Sequence, residues 1–411
     1  MKIVFIIIDG LGDKPIPQLG NKTPLEVAKT PNLDFLAKNG ICGIVLPFKF
    51  PQQENPESDT CHLALFGCDP KIYYLGRGPY EVAGIGMDLK KGDIALRMNF
   101  GTVDENFKVI DRRAGRISQT QSLIKSILGI EIDGVKFLIK KSYGHRAGLV
   151  LRGKNLSGKI SDGDPHEGGV NIKKIVPLIK SKKAKFTATV LNKFLEKSHL
   201  ILKNHPLNEK RKKQGSFPAN YLLVRGAGEF KKNPTFKQKY GFRACCIAGG
   251  GLYKGIAKIL GMDLINVKGA TGLPNTNLKG KISATKNTLK DYDFIFLHIK
   301  AADSLAEDGN FKGKKEFIEK IDKNLKPLVN LKNVLIVVTA DHSTCSLLKR
   351  HCSEPIPILI YGSGKNGVRK FSERACQKGK LGKINQLDLM QTILKLNEGL
   401  DKDSLNIKIY R

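Results

Sequence analysis

Apolar residues in this chain follow a pattern that changes twice along its length. The opening IVFIIIDGLGD runs from Ile3 to Ile8 without a polar break and ends in Asp9 and Gly10. Such a run predicts a strand buried on both faces, at the centre of a mostly parallel sheet. Thr30-Pro31-Asn32 then opens a helix with Leu33, Leu36 and Ala37 on one face; Gly40 closes it, and Ile41 to Leu46 make a short strand. From about residue 90, strands recur with little helix between them: Ile94 to Phe100, Val135 to Ile139 and Leu149 to Leu151. Glycine-rich turns such as Tyr143-Gly144-His145 and Ser161-Asp162-Gly163-Asp164 join them. Two helices belong to this region, one with Leu123, Ile124, Ile127 and Leu128, the other with Val190, Leu191, Phe194 and Leu195 after a lysine run.

Near residue 241 the alternation of strand and helix returns. Ala244 to Ala248, Leu264 to Val267 and Phe294 to Ile299 read as strands, with helices at Leu252 to Leu260 and Ala284 to Leu289. A helix carrying Phe317, Ile321 and Leu325 feeds the strand Val334 to Val338; Ile356 to Tyr361 follows, then a helix with Met390, Ile393 and Leu394. Repeated β-α-β implies a parallel sheet covered on both sides. The predicted fold is therefore α/β, a mostly parallel sheet flanked by helices, with residues 1–88 and 241–411 forming one discontinuous domain around an inserted α+β domain at 89–240.

Composition narrows the class. With 411 residues, 41% hydrophobic and 26% charged, the chain has a globular balance and enough length for a sizeable core. Its net charge of +32 would attract any acidic partner. Yet the basic clusters at Lys180 to Lys185 and Glu209 to Lys213 lack interleaved aromatics, which favours a solvated lysine-rich surface over a nucleic-acid track. None of the eight cysteines forms a C-x-x-C pair, so neither a zinc-thiolate site nor a secreted disulfide framework is indicated. The apolar opening is too short for a signal peptide or a membrane span. A cytoplasmic protein is expected, with neither nucleic acid nor membrane as partner.

Candidate chemistry gathers where strands end, as it does in open α/β sheets. Asp9 ends the first strand and Asp341-His342 end another; Asp303 and Glu307 lie four apart after a third, and His351 follows. Ser58, in Ser58-Asp59-Thr60-Cys61-His62, opens a helix that Gly67 stops. Taken alone, Ser58 reads as an N-cap, Asp303 as a helix cap and His351 as a surface histidine. Taken together, these oxygen and imidazole donors suit Mn²⁺, Mg²⁺ or Zn²⁺, in numbers sufficient for two ions. Two such ions activate a hydroxyl and hold a transferring phosphoryl group, and Ser58 is the hydroxyl on offer.

At these residues the chain resembles a known family. IIIDGLGD, ESDTCHLALFGCDP, GRGPYEVAGIG, TVDE, DRRAGRI, HIKAADSLAEDGN, and TADHST with KRHCSEPIP look like the motifs of archaeal-type cofactor-independent phosphoglycerate mutases, within the alkaline phosphatase superfamily. The resemblance spans essentially the whole chain. It implies an alkaline-phosphatase-like catalytic core and a substrate-holding inserted domain. Ser58 would take the phosphate from 3-phosphoglycerate and return it to the 2-hydroxyl, without 2,3-bisphosphoglycerate. One ion, Mn²⁺ first, with Mg²⁺, Co²⁺ or Zn²⁺ as alternatives, would be held by Asp9, Ser58, Asp341 and His342, and a second by Asp303, Glu307 and His351. Arg112, Arg113 and Arg116 would meet the substrate carboxylate. By local likeness, Lys254 joins the catalytic residues, and His62, Asp164 and His166 the substrate-binding ones. Where the family has histidine, this chain has Glu307, a harder donor that puts the identity of the second metal in question. The resemblance leaves open a phosphatase or phosphotransferase on another small phosphate ester, and a pseudoenzyme with a degenerate second site. A homo-oligomer is compatible with all of these.

Overall fold

The computed structural model describes residues 1–365 and 367–399, so the end of the 241–411 segment lies outside the described residues. The chain divides into two compact units: residues 1–74 with those from Pro234 onward, and Leu75–Asn233.

Unit 1 is built on an eight-stranded sheet. Its strands lie in the order Asp263–Leu264, Ala244–Ile247, Phe294–Ile299, Lys2–Ile8, Val334–Thr339, Ile356–Tyr361, Gly40–Leu46 and Gly382–Asn385. All neighbours are parallel except Ile356–Tyr361, which runs antiparallel to both of its partners. The Lys2–Ile8 strand is central and fully buried from Ile3 onward, as its unbroken apolar run requires. Phe5, Phe66, Phe236, Phe294 and Phe296 pack edge-on or tilted around it.

Unit 2 is an antiparallel sheet of Val109–Asp111, Ile94–Val103, Arg146–Arg152, Val135–Lys141 and Glu131–Ile132, with Tyr221–Glu229 also paired to Ile94–Val103. The long Lys182–Lys203 helix contributes Val190, Leu191, Phe194 and Leu195 to its core. Phe194 stacks on Phe137 of the sheet with ring centres 4.2 Å apart.

The division falls at 74/75 and 233/234, where the sequence pattern placed it at 88/89 and 240/241. The Arg77–Gly84 helix belongs to unit 2 because Val82 packs with Ala95 and Val150 of the antiparallel sheet. Other departures are local. Gly40 does not close a helix but begins a strand; a side chain there would strike Ile360 O and Leu36 O. The strand expected at Leu264 to Val267 is confined to Asp263–Leu264. Cys345 and Cys352 form a disulfide between the antiparallel strands Ser343–Cys345 and Arg350–Cys352, which the absence of C-x-x-C spacing did not suggest. The other six cysteines are buried and form no disulfide.

Candidate active site

Three adjacent parallel strands deliver the acidic groups. Ile8 pairs with Ile299 and Ile7 with Thr339, so Asp9, the Ala301–Glu307 helix and Asp341-His342 all begin at one level of the sheet. Gly10 makes the close approach feasible. Its φ is +66°, and a Cβ there would lie 2.7 Å from Asp303 Cα and 2.6 Å from Thr344 Oγ1. His351 arrives on the hairpin that follows His342, and its ring stacks on that of His342 at 3.8 Å. Thr344 of the same hairpin donates to Asp303 Oδ1 at 2.7 Å.

Ser58 is the first residue of the Ser58–Leu65 helix, not its cap; Glu57 holds the cap position. The Ser58 hydroxyl is therefore free of capping duty, and its Oγ lies 3.0 Å from His342 Nε2. Every residue of this helix is buried. Gly67, with φ +63°, ends it, and Cys68 N–H donates back to Leu63 O, as in a Schellman turn.

The ligand atoms of Asp9, Asp341 and His342 lie within 4.8 Å of one another, as do those of Asp303, His342 and His351. The electrostatics call for a cation. Burial and the charge of Asp9 push the Asp341 carboxyl up to about 7. Burial also works against ionised Asp9, yet Lys300, then His298 and His342, hold it well below the usual carboxylate range. Burial and His351 keep His342 neutral, down to about 4. Burial would lower His351 too, but contact with Asp303 outweighs it and raises His351 to about 9. Asp9 Oδ1 and Asp341 Oδ2 are buried without a hydrogen-bond partner in the chain. Buried acceptors of this kind, beside neutral imidazole, fit a divalent metal ion.

Glu307 stands apart from these groups. Its side chain is 49% exposed, with Oε1 3.7 Å from His351 Nε2. His62, expected at the substrate, is fully buried; its Nδ1 bonds Ser58 O at 2.6 Å and lies 3.5 Å from Asp341 Oδ2, which supports the serine helix from within. Lys254 makes no hydrogen bond or ion pair with the cluster. Its neighbour Tyr253 does, donating from its hydroxyl to Asp9 Oδ2. The firm cation is Lys300, 2.8 Å from Asp303 Oδ2 and 3.5 Å from Asp9 Oδ2. Sequence reasoning also passed over His298, with Nε2 3.3 Å from Asp9 Oδ2 and its ring stacked on Tyr253. Its signal was a single imidazole inside the apolar strand FIFLHI.

Unit 2 holds a cluster of opposite sign. Arg112 is bound bidentately to the fully buried Asp164 at 2.9 and 2.7 Å, so its paired donors are already taken. Arg113 and Arg116 are exposed. His166 is half exposed, accepting at Nδ1 from Arg225 Nη1 at 3.1 Å. The concentrated charge lies elsewhere. Arg97 and Arg225 face each other directly across two strands, and Asn99, on the same face, opposes Arg146. Burial, offset only in part by Glu81, together with Arg225 and Arg146 brings the Arg97 guanidinium down to about 9. Burial and then Arg146, Arg113 and Arg97 hold the His145 imidazole at about 4. Arg97 Nε and Asn99 Oδ1 are buried without a partner. Like charges directly opposite on paired strands are destabilising, so this face fits an anion.

A parallel sheet whose strand ends converge on carboxylates and imidazoles defines a metal-dependent enzyme, and the chain matches the metalloenzyme superfamily over residues 1–396. It is 50% identical over 402 residues to a 2,3-bisphosphoglycerate-independent phosphoglycerate mutase of Methanocaldococcus jannaschii, covering 96% of this chain and 97% of that one. A mutase of the same description from Archaeoglobus fulgidus is 46% identical over 96% of this chain and 98% of its own length. Among solved structures, the cofactor-independent phosphoglycerate mutase from Thermoplasma acidophilum superposes with a TM-score of 0.70 at 36% identity, covering 97% of this chain and all of that one. A Pyrococcus horikoshii protein gives 0.84 at 35% identity over 98% of each chain. This chain belongs to the 2,3-bisphosphoglycerate-independent phosphoglycerate mutase family.

Proposed function

We propose that the protein interconverts 3-phosphoglycerate and 2-phosphoglycerate through a phosphoserine on Ser58, with two divalent ions and without 2,3-bisphosphoglycerate. The observation that carries this reading is the Ser58 hydroxyl, relieved of capping and 3.0 Å from His342 Nε2 at the edge of the buried carboxylates. In the first transfer a bond forms between Ser58 Oγ and phosphorus as the bond to the 3-oxygen breaks, and the serine proton ends on the glycerate 3-hydroxyl. The second transfer repeats this in reverse at the 2-hydroxyl, which regenerates the serine. Splitting one awkward shift into two displacements lowers the barrier of each. When bound, the ions would supply Lewis acidity and stabilise the serine alkoxide.

Asp9, Asp341 and His342, with Ser58, would hold one ion, and Asp303 and His351 the other, Glu307 contributing from the rim. Mn²⁺ suits this carboxylate-rich set better than softer ions do. Lys300 would keep Asp9 and Asp303 together by charge, and Lys254 remains a catalytic candidate by local likeness. Unit 2 would act as the substrate-binding domain, with Arg97, Arg146 and Arg225 receiving the anionic groups of the glycerate and Arg112 and Asp164 bracing them. Arg113, Arg116 and His166 remain as outer contacts of the same kind. We place the enzyme in the cytoplasm, with its phosphoglycerate substrate; among the described residues no helix is long and apolar enough to cross a membrane.

An enolase-coupled assay from 3-phosphoglycerate tests the reading. Turnover is expected without added 2,3-bisphosphoglycerate, together with label transfer from radioactive 3-phosphoglycerate to the protein. Turnover that depends on the bisphosphate, or label transfer that survives in Ser58→Ala, would overturn it.

A further inference from the structure

We propose that the Lys173–Lys185 edge of unit 2 is a docking surface for an anionic lipid bilayer. The segment KKIVPLIKSKKAK breaks two rules within thirteen residues. Val176, Leu178 and Ile179 are 47%, 62% and 50% exposed, although the backbone that carries them is firmly held. Ser161 N–H donates to Val176 O at 2.9 Å, Leu178 N–H donates to Lys159 O at 3.0 Å, and the buried Ile175 donates its N–H to Asn192 Oδ1 at 3.1 Å. The aliphatic side chains therefore face outward as a consequence of a fixed ribbon, and Leu178 and Ile179, together with Pro177, line an open hollow of about 390 Å³.

The second broken rule is electrostatic. Lys182, Lys183 and Lys185 occupy the first turn of the Lys182–Lys203 helix, which has no acidic residue there and no side-chain cap. Cations at the positive end of a helix are unfavourable. Lys173, Lys174 and Lys180 add to them, all exposed and none in an ion pair, and no acidic residue occurs between Glu167 and Glu196. An outward aliphatic cluster ringed by unpaired lysines is complementary to a partner that is both anionic and apolar.

The residue types select a bilayer. From Lys173 to Lys185 there is no arginine and no aromatic residue, whereas protein interfaces are enriched in both and depleted in lysine. Nucleic-acid surfaces place aromatic or arginine planes against bases, which aliphatic side chains do not replace. A second copy of the chain would bring the same lysines face to face. Lysines meet a diffuse layer of anionic headgroups as point charges, while valine, leucine and isoleucine enter the acyl boundary. The association is peripheral, since no described helix spans a membrane.

Sedimentation of the full chain with vesicles decides the matter. Binding is expected to phosphatidylcholine vesicles containing about one third phosphatidylglycerol, and not to phosphatidylcholine alone. The double variant Leu178→Ser/Ile179→Ser keeps the net charge and is expected to lower binding about tenfold. Lys182→Gln/Lys183→Gln should lower binding by several-fold and flatten its salt dependence. Both variants should keep wild-type mutase turnover and melting temperature. Four results would overturn the proposal: no binding, equal binding to both vesicles, a serine variant that binds as well as wild type, or self-association of the wild type that the serine variant abolishes. The third would trace binding to the general +32 charge.

Discussion

The two units carry mirror-image electrostatics. In unit 1 the buried carboxylates of Asp9, Asp303 and Asp341 converge around the neutral imidazoles of His298 and His342, with Lys300 the firm cation among them. In unit 2 the guanidiniums of Arg97, Arg146 and Arg225 crowd one sheet face, with Glu81 and Asp164 as their acidic counterweights. Each cluster leaves polar atoms unpartnered: Asp9 Oδ1 and Asp341 Oδ2 in one, Arg97 Nε in the other. Burying like charges is expensive, so each cluster fits a partner of opposite charge from outside the chain, a cation in unit 1 and an anion in unit 2. Elsewhere both units bury charge differently. Lys314 is enclosed with Asp13, Gly12 O and Thr344 O, and the partly exposed Arg112 pairs with the buried Asp164; these groups are satisfied within the chain.

The comparison can be broken most sharply at the serine. Ser58→Ala should lower mutase turnover by about 10⁴-fold while leaving the melting temperature within a few degrees of wild type, read by the coupled assay and by circular dichroism. Chelation should lower turnover by about 10³-fold and also reduce thermal stability, because Asp9, Asp303 and Asp341 then repel without an added cation; Mn²⁺ should restore both. Full turnover in protein shown by elemental analysis to be free of metal would remove unit 1 from the comparison.

For unit 2 the signs differ by residue. Arg97→Met should lower kcat/KM by about 10²-fold, raise phosphate release relative to mutase turnover, and leave stability unchanged or improved by relief of repulsion. Phosphate or 3-phosphoglycerate should raise the melting temperature of wild type and not of this variant. Arg112→Met should instead destabilise by about 2 kcal/mol, because it strands the buried Asp164. Glu307→Ala should weaken the second ion and slow turnover only several-fold, since that carboxylate is half exposed at the rim.

The smallest effect lies at a buried carboxyl outside both clusters. Burial pushes Glu373 up to about 7, above its ordinary 4.5. The native state therefore binds the extra proton, and the stability this supplies is complete below the ordinary value and lost as pH rises through about 7. Glu373→Gln should flatten the fall of melting temperature between mildly acidic and neutral pH by a few degrees. An unchanged slope would locate that pH dependence elsewhere.

Much of the fold was legible because unbroken apolar runs and strand–helix alternation report burial directly. The central strand, the return of alternation near residue 241 and the two-part layout follow from period and composition alone. Asp9, Asp303, Asp341 and His342 could be singled out because polar residues at or just after the ends of buried strands have few structural reasons to be there, and Ser58 and His351 because they complete the same donor set. His298 and Tyr253 could not. Inside FIFLHI and GGGLYKG their side chains carry no periodic signature, and only strand order brings both against Asp9.

Sequence by itself determined the α/β class, the family likeness and which residue types stand at the strand ends, because these depend on local pattern. Tertiary structure decided which atoms meet. It moved Ser58 off the cap position and set its hydroxyl against His342, left Glu307 at the rim, spent Arg112 on Asp164, and set Arg97 opposite Arg225. It brought Lys300 against Asp9 and Asp303 and joined Cys345 to Cys352. Each of these outcomes depends on register, side-chain direction and burial across residues distant in the chain, and a linear order of residues carries no direct measure of distance.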